Sequence, residues 1–119
     1  MQDFHGLKVW HKAHELTLAV YRTTARVPRE EVYGLRAQLR RASSSIPANL
    51  AEGCGRNGDS EFARFCSFAM GSASELEYHL LLAKDLQLIQ IEDYEDLARC
   101  AIAVKRMLAA LIQKLKADS

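Results

Sequence analysis

The pentapeptide HKAHE at residues 11–15 is the first place to look for chemistry. His11 and His14 are spaced to share one helix face, and Glu15 follows directly. A zinc-protease site needs two histidines four apart with a glutamate after the first, and this spacing does not supply it. These three read as surface residues. A di-iron bundle needs Glu-x-x-His on two helices. The stretch ELEYH instead puts His79 two residues after Glu77 and four after Glu75. Ser43, Ser44 and Ser45 offer hydroxyls, yet no G-x-S-x-G elbow surrounds them. CGRNGDS (54–60) is glycine-rich but lacks the lysine and the spacing of a phosphate loop. Cys54, Cys66 and Cys100 are odd in number and far apart, so they read as reduced, packed thiols rather than disulfides or zinc ligands. The expectation is a protein that is not an enzyme, with no catalytic residue, metal or cofactor.

What remains is charge. The net charge is only +1, so no strong overall field draws the chain to a polyanion. The distribution is uneven, however. Residues 1–58 hold nine Lys/Arg against five Asp/Glu, and residues 59–119 hold seven against ten. Lys8, Lys12, Arg22 and Arg26 fall in the first helical pattern, and Arg36, Arg40 and Arg41 on or beside one face of the second. Arginine forks match phosphate geometry. If these faces meet, a basic surface for RNA or DNA results; a repeat of that surface in an oligomer adds affinity by multivalency. The competing reading is a solvated face with local ion pairs, such as Lys8 or Lys12 with Glu15. No aromatic is read as interleaved with these cations to stack bases, and no known nucleic-acid recognition motif appears.

The elements that must position these residues are helices. The 119 residues, 49% hydrophobic and 26% charged, fit one domain spanning 1–119. No apolar run reaches the length of a membrane span, and the N-terminus lacks an apolar signal core. A cytoplasmic location with no membrane contact is expected. Leu7, Trp10, Ala13, Thr17, Val20 and Thr24 make one stripe of a helix from about Leu7 to Arg26, widened by Leu16, Leu18 and Tyr21. The second helix starts between Glu30 and Leu35. The third opens at GDSEF, with Gly58 as N-cap and Glu61 at the capping-box position. Its stripe includes Phe62, Phe65, Cys66, Ala69, Ala73, Leu76, Leu80 and Ala83. In the fourth, Tyr94, Leu97, Ala101, Val104, Leu108, Leu111 and Leu115 alternate spacings of three and four, a heptad seam. Nothing reads as a strand. Short turns between long helices predict an all-α, antiparallel, up-down-up-down four-helix bundle.

The second helix carries the unusual segment SSSIPANLAEG, residues 43–53. The stripe Leu35, Leu39, Ala42, Ile46 and Leu50 passes through Pro47 without losing phase. A helix bent at Pro47, not broken there, is predicted. Proline lacks an N–H, which leaves the Ser43 carbonyl without its helical partner. The nearby serines, Ser45 among them, are expected to serve such freed groups locally. Asn49 borders the buried Ile46–Leu50 stripe, so it must hydrogen-bond, within the bend or to a neighbouring subunit. The helix then ends at the glycines from Gly53 to Gly58, expected to take a left-handed cap.

These segments also carry a family resemblance. GLRAQLRRASSSIPANLAEGCGR followed by EFARFCSFAMGSASELEYHLLLAKDL, with FHGLKVWHKAHEL at the N-terminus, resembles the 23S ribosomal RNA intervening-sequence proteins. The likeness covers nearly the whole chain, and its most specific part is the core that holds Ser45, Ile46, Pro47, Asn49, Glu52 and Gly53. The departures are small: Gly58 where the family often has serine, and a serine run where alanine or valine often precedes the serine. The resemblance implies a cytosolic four-helix-bundle homopentamer without known catalysis. It also implies kinship with the accessory variability protein of diversity-generating retroelements, a pentameric barrel with a basic surface that binds nucleic acid and a reverse transcriptase.

Two functions therefore stand side by side. One is an oligomer that binds nucleic acid, RNA first, through a shared basic surface. The other is an oligomeric scaffold for a protein partner. Self-association is expected on either account, because Leu18, Tyr21, Phe68, Tyr78 and Leu82 exceed what one buried stripe per helix requires.

Overall fold

In the structure, a computed structural model that describes residues 2–28 and 34–118, four helices follow one another. They are α1 Lys8–Thr24, α2 Leu35–Cys54, α3 Asp59–Asp85 and α4 Ile91–Asp118, preceded by a 3-10 turn at Phe4–Gly6. No strand occurs among the described residues. Helix α1 packs on α2 and α4, and α3 packs on α2 and α4. With short connections the neighbours run antiparallel, the expected up-down-up-down bundle. Its long axis of 45 Å is close to the length of α4, about 42 Å at the usual rise per residue.

All four helices contribute to one core. Leu16 and Val20 of α1, Leu39, Ile46 and Leu50 of α2, Leu76 and Leu80 of α3, and Val104 and Leu108 of α4 are buried in it. Alanines 13, 42, 69, 73 and 101 lie among them, fully covered, where short side chains let the helices approach. The expected stripes hold for α2, α3 and most of α4. On α1 the phase shifts slightly. Val9 and Leu16 are core residues, whereas Leu7 and Trp10 are half-buried and pack at the edge.

The ends differ from expectation in instructive ways. Helix α1 stops at Thr24, earlier than Arg26, where the Thr24 hydroxyl donates back to the Val20 carbonyl at 2.7 Å. Helix α2 begins at Leu35; the Glu30 end of its expected start lies outside the described residues. No left-handed glycine ends α2. Gly55 caps it in the right-handed region at φ −82°. The positive φ belongs to Gly58, which has φ 85° and starts α3. Glycine takes that conformation without the steric cost a side chain brings. Glu61 does not reach back to form a capping box; its carboxylate faces Arg64 at 3.4 Å. At the α3–α4 turn, Gln87 adopts φ 60°. Leu88 N–H donates to the Ala83 carbonyl and Gln87 N–H to the Lys84 carbonyl, both at 2.9 Å, a Schellman closure built on a glutamine.

Candidate functional site

The SIPANLAEG segment is a device for carrying a proline through a helix. Helix α2 continues unbroken across Pro47, and both Ile46 and Pro47 are buried. The carbonyl orphaned by Pro47 belongs to Ser43, a residue with no exposed surface. Its partner comes from the neighbouring helix: the Thr17 hydroxyl of α1 lies 2.9 Å from it and 2.9 Å from the Ala13 carbonyl, so its one proton is shared between the two acceptors. The serines do not serve it. Ser43, Ser44 and Ser45 donate to the carbonyls of Arg40, Arg41 and Ala42, each three residues back. Asn49 stays local too, donating from its amide to the Ser45 carbonyl at 2.8 Å. Thr17 was not singled out by spacing alone. The signal was present nonetheless: a hydroxyl inside the apolar stripe of α1, and a carbonyl on α2 needing a donor.

The two remaining motif residues divide in role. Glu52 is exposed and pairs with Arg56 at 2.8 Å. Gly53 is buried inside α2, facing α3. A Cβ there would come to 2.8 Å from the Phe65 Cβ and 3.0 Å from the Phe62 ring. The glycine is therefore set by the closeness of the α2–α3 crossing, not by a helix cap.

The seven candidate cations do not gather on one surface. Arg40 turns toward α1, where its Nε donates to the Thr24 hydroxyl at 2.8 Å and its guanidinium lies over the Tyr21 ring at 4.6 Å. A second nitrogen donates to the Tyr21 carbonyl at 3.2 Å. Arg41 turns the other way, donating to Gln38 and to the Glu75 carboxylate of α3. Lys8 and Arg22 are exposed on α1, and Arg26 is exposed in the turn that follows it. Lys12 is half-buried on the side toward α4, near enough to act on the Cys100 thiol. Arg36 is half-buried in the first turn of α2. None of these last five makes an ion pair among the described residues. The expected pairing of Lys8 or Lys12 with Glu15 is not formed, whereas Glu52, Glu61, Glu75, Glu77 and Asp85 on α2 and α3 are matched, as in Lys105–Glu77 at 2.9 Å.

The other groups with chemical potential are held in structural roles. Burial pushes the Cys66 thiol up to about 12 and raises those of Cys54 and Cys100, so none is a ready thiolate at neutral pH. Partial burial draws the Glu75 carboxyl upward, but hydrogen bonds from His79 and Arg41 outweigh it and hold the group below the ordinary carboxylate value. His79 meets Glu75 through Nε2 at 3.1 Å, while its buried Nδ1 has no partner. His11 bonds the His5 carbonyl through Nε2 at 2.7 Å, and His14 stacks on Trp10. No group of described residues is arranged to hold a metal ion. Among them, no helix is long and apolar enough to cross a membrane.

What these features define is an antiparallel helical bundle whose unusual residues serve interhelix contacts. The chain belongs to the 23S rRNA-intervening sequence protein family, whose sequence model matches residues 5–110. Its fold is similar to a crystal structure of a protein with unknown function from the S23 ribosomal protein family of Bacteroides thetaiotaomicron. That likeness has a TM-score of 0.79 at 24% identity and covers 87% of this chain and 97% of the other. No curated protein matches the chain in sequence.

Proposed function

We propose that the protein is a non-catalytic, self-associating helical bundle that binds nucleic acid, RNA foremost, through a basic surface on α1 and the start of α2. The observation that carries this reading is the set Lys8, Lys12, Arg22, Arg26 and Arg36, which have no anionic partner among the described residues. Unpaired cations remain available to phosphate, and each phosphate neutralised releases counterions. Arg40 and Arg41 join that surface only at the expense of contacts they already make. The test is binding of mixed-sequence RNA and DNA across a salt series. Affinity is expected to fall by orders of magnitude from low to moderate salt. Replacing the five unpaired cations with glutamine should weaken binding without unfolding the chain, since surface changes usually cost less than about 0.5 kcal/mol. Absence of binding at low salt, or an unchanged variant, refutes the reading.

Self-association is supported by Leu18, Tyr21, Phe68 and Tyr78, which are 41–58% exposed. Leu82, also expected outside the stripe, is half-buried. A closed ring is the simplest way for one chain to cover such faces with copies of itself, and the family resemblance suggests five members in the cytoplasm. Light scattering should then give five times the 13.4 kDa chain mass. The same apolar side chains favour the second reading, a scaffold for a protein partner, and loss of nucleic-acid binding in every assay would leave that one standing.

A further inference from the structure

Helix α3 turns an unusual face to solvent. Its exposed positions between Arg64 and Asp85 are Ser67, Phe68, Gly71, Ser74, Tyr78 and Leu81, and none is charged. Helix α4, by contrast, exposes Glu95, Asp96, Arg99 and Arg106. On α3, Phe68, Tyr78 and Leu81 are 44%, 58% and 38% exposed. A contiguous apolar face of this kind marks a contact surface.

Gly71 stands in the middle of that face. Glycine inside a helix costs stability relative to alanine, so its presence needs a reason. Gly53 has one, in the Phe62 and Phe65 side chains packed against it. Gly71 has none within its own chain. A Cβ there would meet nothing within 4 Å among the described residues, and its backbone is not in the left-handed region. What a glycine at such a place admits is the close approach of a group from outside the chain.

The opposite side of the bundle supplies that group. Helices α1 and α3 each pack on α2 and α4 and not on each other, so they occupy opposite corners and run in the same direction. The Thr17–Ser43 contact sets α1 against α2, and Arg41–Glu75 sets α2 against α3. Together they put Leu18 of α1 within about one turn of Gly71 in height. Leu18 is 44% exposed, an apolar side chain large enough to fill the gap above a glycine. Its helix belongs to the half of the chain with surplus cations, and α3 to the half with surplus acids. Unlike sides therefore attract, and like sides repel.

We infer that the α1 face around Leu18 docks on the α3 face around Gly71 of a second copy of this chain. The inference rests on the self-association reading above and specifies which surfaces meet. Leu18 enters over Gly71, flanked by Phe68 and Tyr78. Because the two surfaces differ and lie on opposite sides, the contact repeats from copy to copy in one sense, the kind that ends by closing on itself.

The experiment uses variants of the full chain. Leu18→Glu places a charge on the first surface and Gly71→Glu on the second; circular dichroism checks that the helices persist. Light scattering should give each variant alone the mass of one chain, 13.4 kDa. Mixed in equal amounts they should give twice that mass. One variant keeps an intact α3 face and the other an intact α1 face, and the pair has no intact surface left for a third copy. Gly71→Leu adds apolar surface without charge and should still lower the mass, because its side chain fills the space that Leu18 needs. A native protein that is itself a single chain overturns self-association and this contact together. Other outcomes overturn the contact and leave self-association standing: variants that keep the native mass, variants that stop at two chains on their own, or a mixture that stays at one chain.

Discussion

Replacing Thr17 with valine keeps the shape of the side chain and deletes one hydroxyl. That hydroxyl shares its proton between the Ser43 carbonyl and the Ala13 carbonyl, and Ser43 has no exposed surface. The helix offers no substitute, since residue 47 is a proline. An unsatisfied buried acceptor costs about 1–3 kcal/mol. For a chain of this size, each kcal/mol moves the melting point by roughly 3–6 °C, so Thr17→Val should melt several degrees or more below the native protein. The decisive arm is the second mutation. Pro47→Ala restores an N–H directed at the same carbonyl, so in that background the cost of Thr17→Val should shrink to about 0.5 kcal/mol or less. Urea titrations of the four proteins close a double-mutant cycle, with an expected coupling of about 1–2 kcal/mol. Thr17→Ser, which keeps the donor, should not show it. If Thr17→Val costs the same with proline or alanine at 47, the hydroxyl is not satisfying the proline's orphan, and the account of the SIPANLAEG segment fails.

The remaining expectations follow from other contacts. Gly53→Ala should destabilise by about 1–2 kcal/mol in a denaturant titration. Overpacking against Phe62 and Phe65 exceeds the gain of about 1 kcal/mol in helix propensity; a neutral or stabilised variant contradicts the close crossing. Gln87→Gly should stabilise by about 0.5–1 kcal/mol, seen as a higher melting point, because glycine removes the strain of the left-handed turn. The folded state holds the Glu75 carboxyl below its ordinary value, so its contribution is present above about 4.5 and is lost as pH falls through the lower folded value. Glu75→Gln should therefore lose stability at neutral pH, by less than about 1 kcal/mol for so exposed a group, and converge with the native protein in acid. A constant gap between their acid titration curves would count against the Arg41–Glu75–His79 cluster.

The number and order of helices were legible because each needs one apolar stripe, and the stripes keep phase over several turns. Leu35 to Leu50 even reported that α2 survives Pro47. What lay beyond reach was which neighbour each flank meets. The serines next to Pro47 looked like donors for its orphan, but a side chain in a helix reaches its own preceding turn, and the carbonyl in question faces α1. Gly53 looked like a cap because glycine often ends helices; only the position of Phe62 and Phe65 shows a crossing that excludes a Cβ. Arg40 and Arg41 looked like one basic patch because they are adjacent in sequence. Trp10 looked like part of the first helix's apolar stripe and His14 like a surface residue, and the turn at Phe4–Gly6 that completes their cluster has too little periodicity to be read.

Adjacent side chains on a helix project about 100° apart. Arg40 is tied to Thr24 and the Tyr21 carbonyl on one side of α2, and Arg41 to Glu75 on the other. The pair works like opposed guy ropes on a mast. Rolling α2 about its own axis toward α1 slackens one tether and stretches the other, and rolling it back does the reverse. Greasy core contacts resist separation of helices better than they resist rotation, because one methyl group can replace another. Two consecutive arginines with opposite attachments supply the missing resistance to torsion. They help hold the azimuth at which Ile46 and Gly53 point inward, and so keep the Ser43 carbonyl aimed at the Thr17 hydroxyl that donates to it.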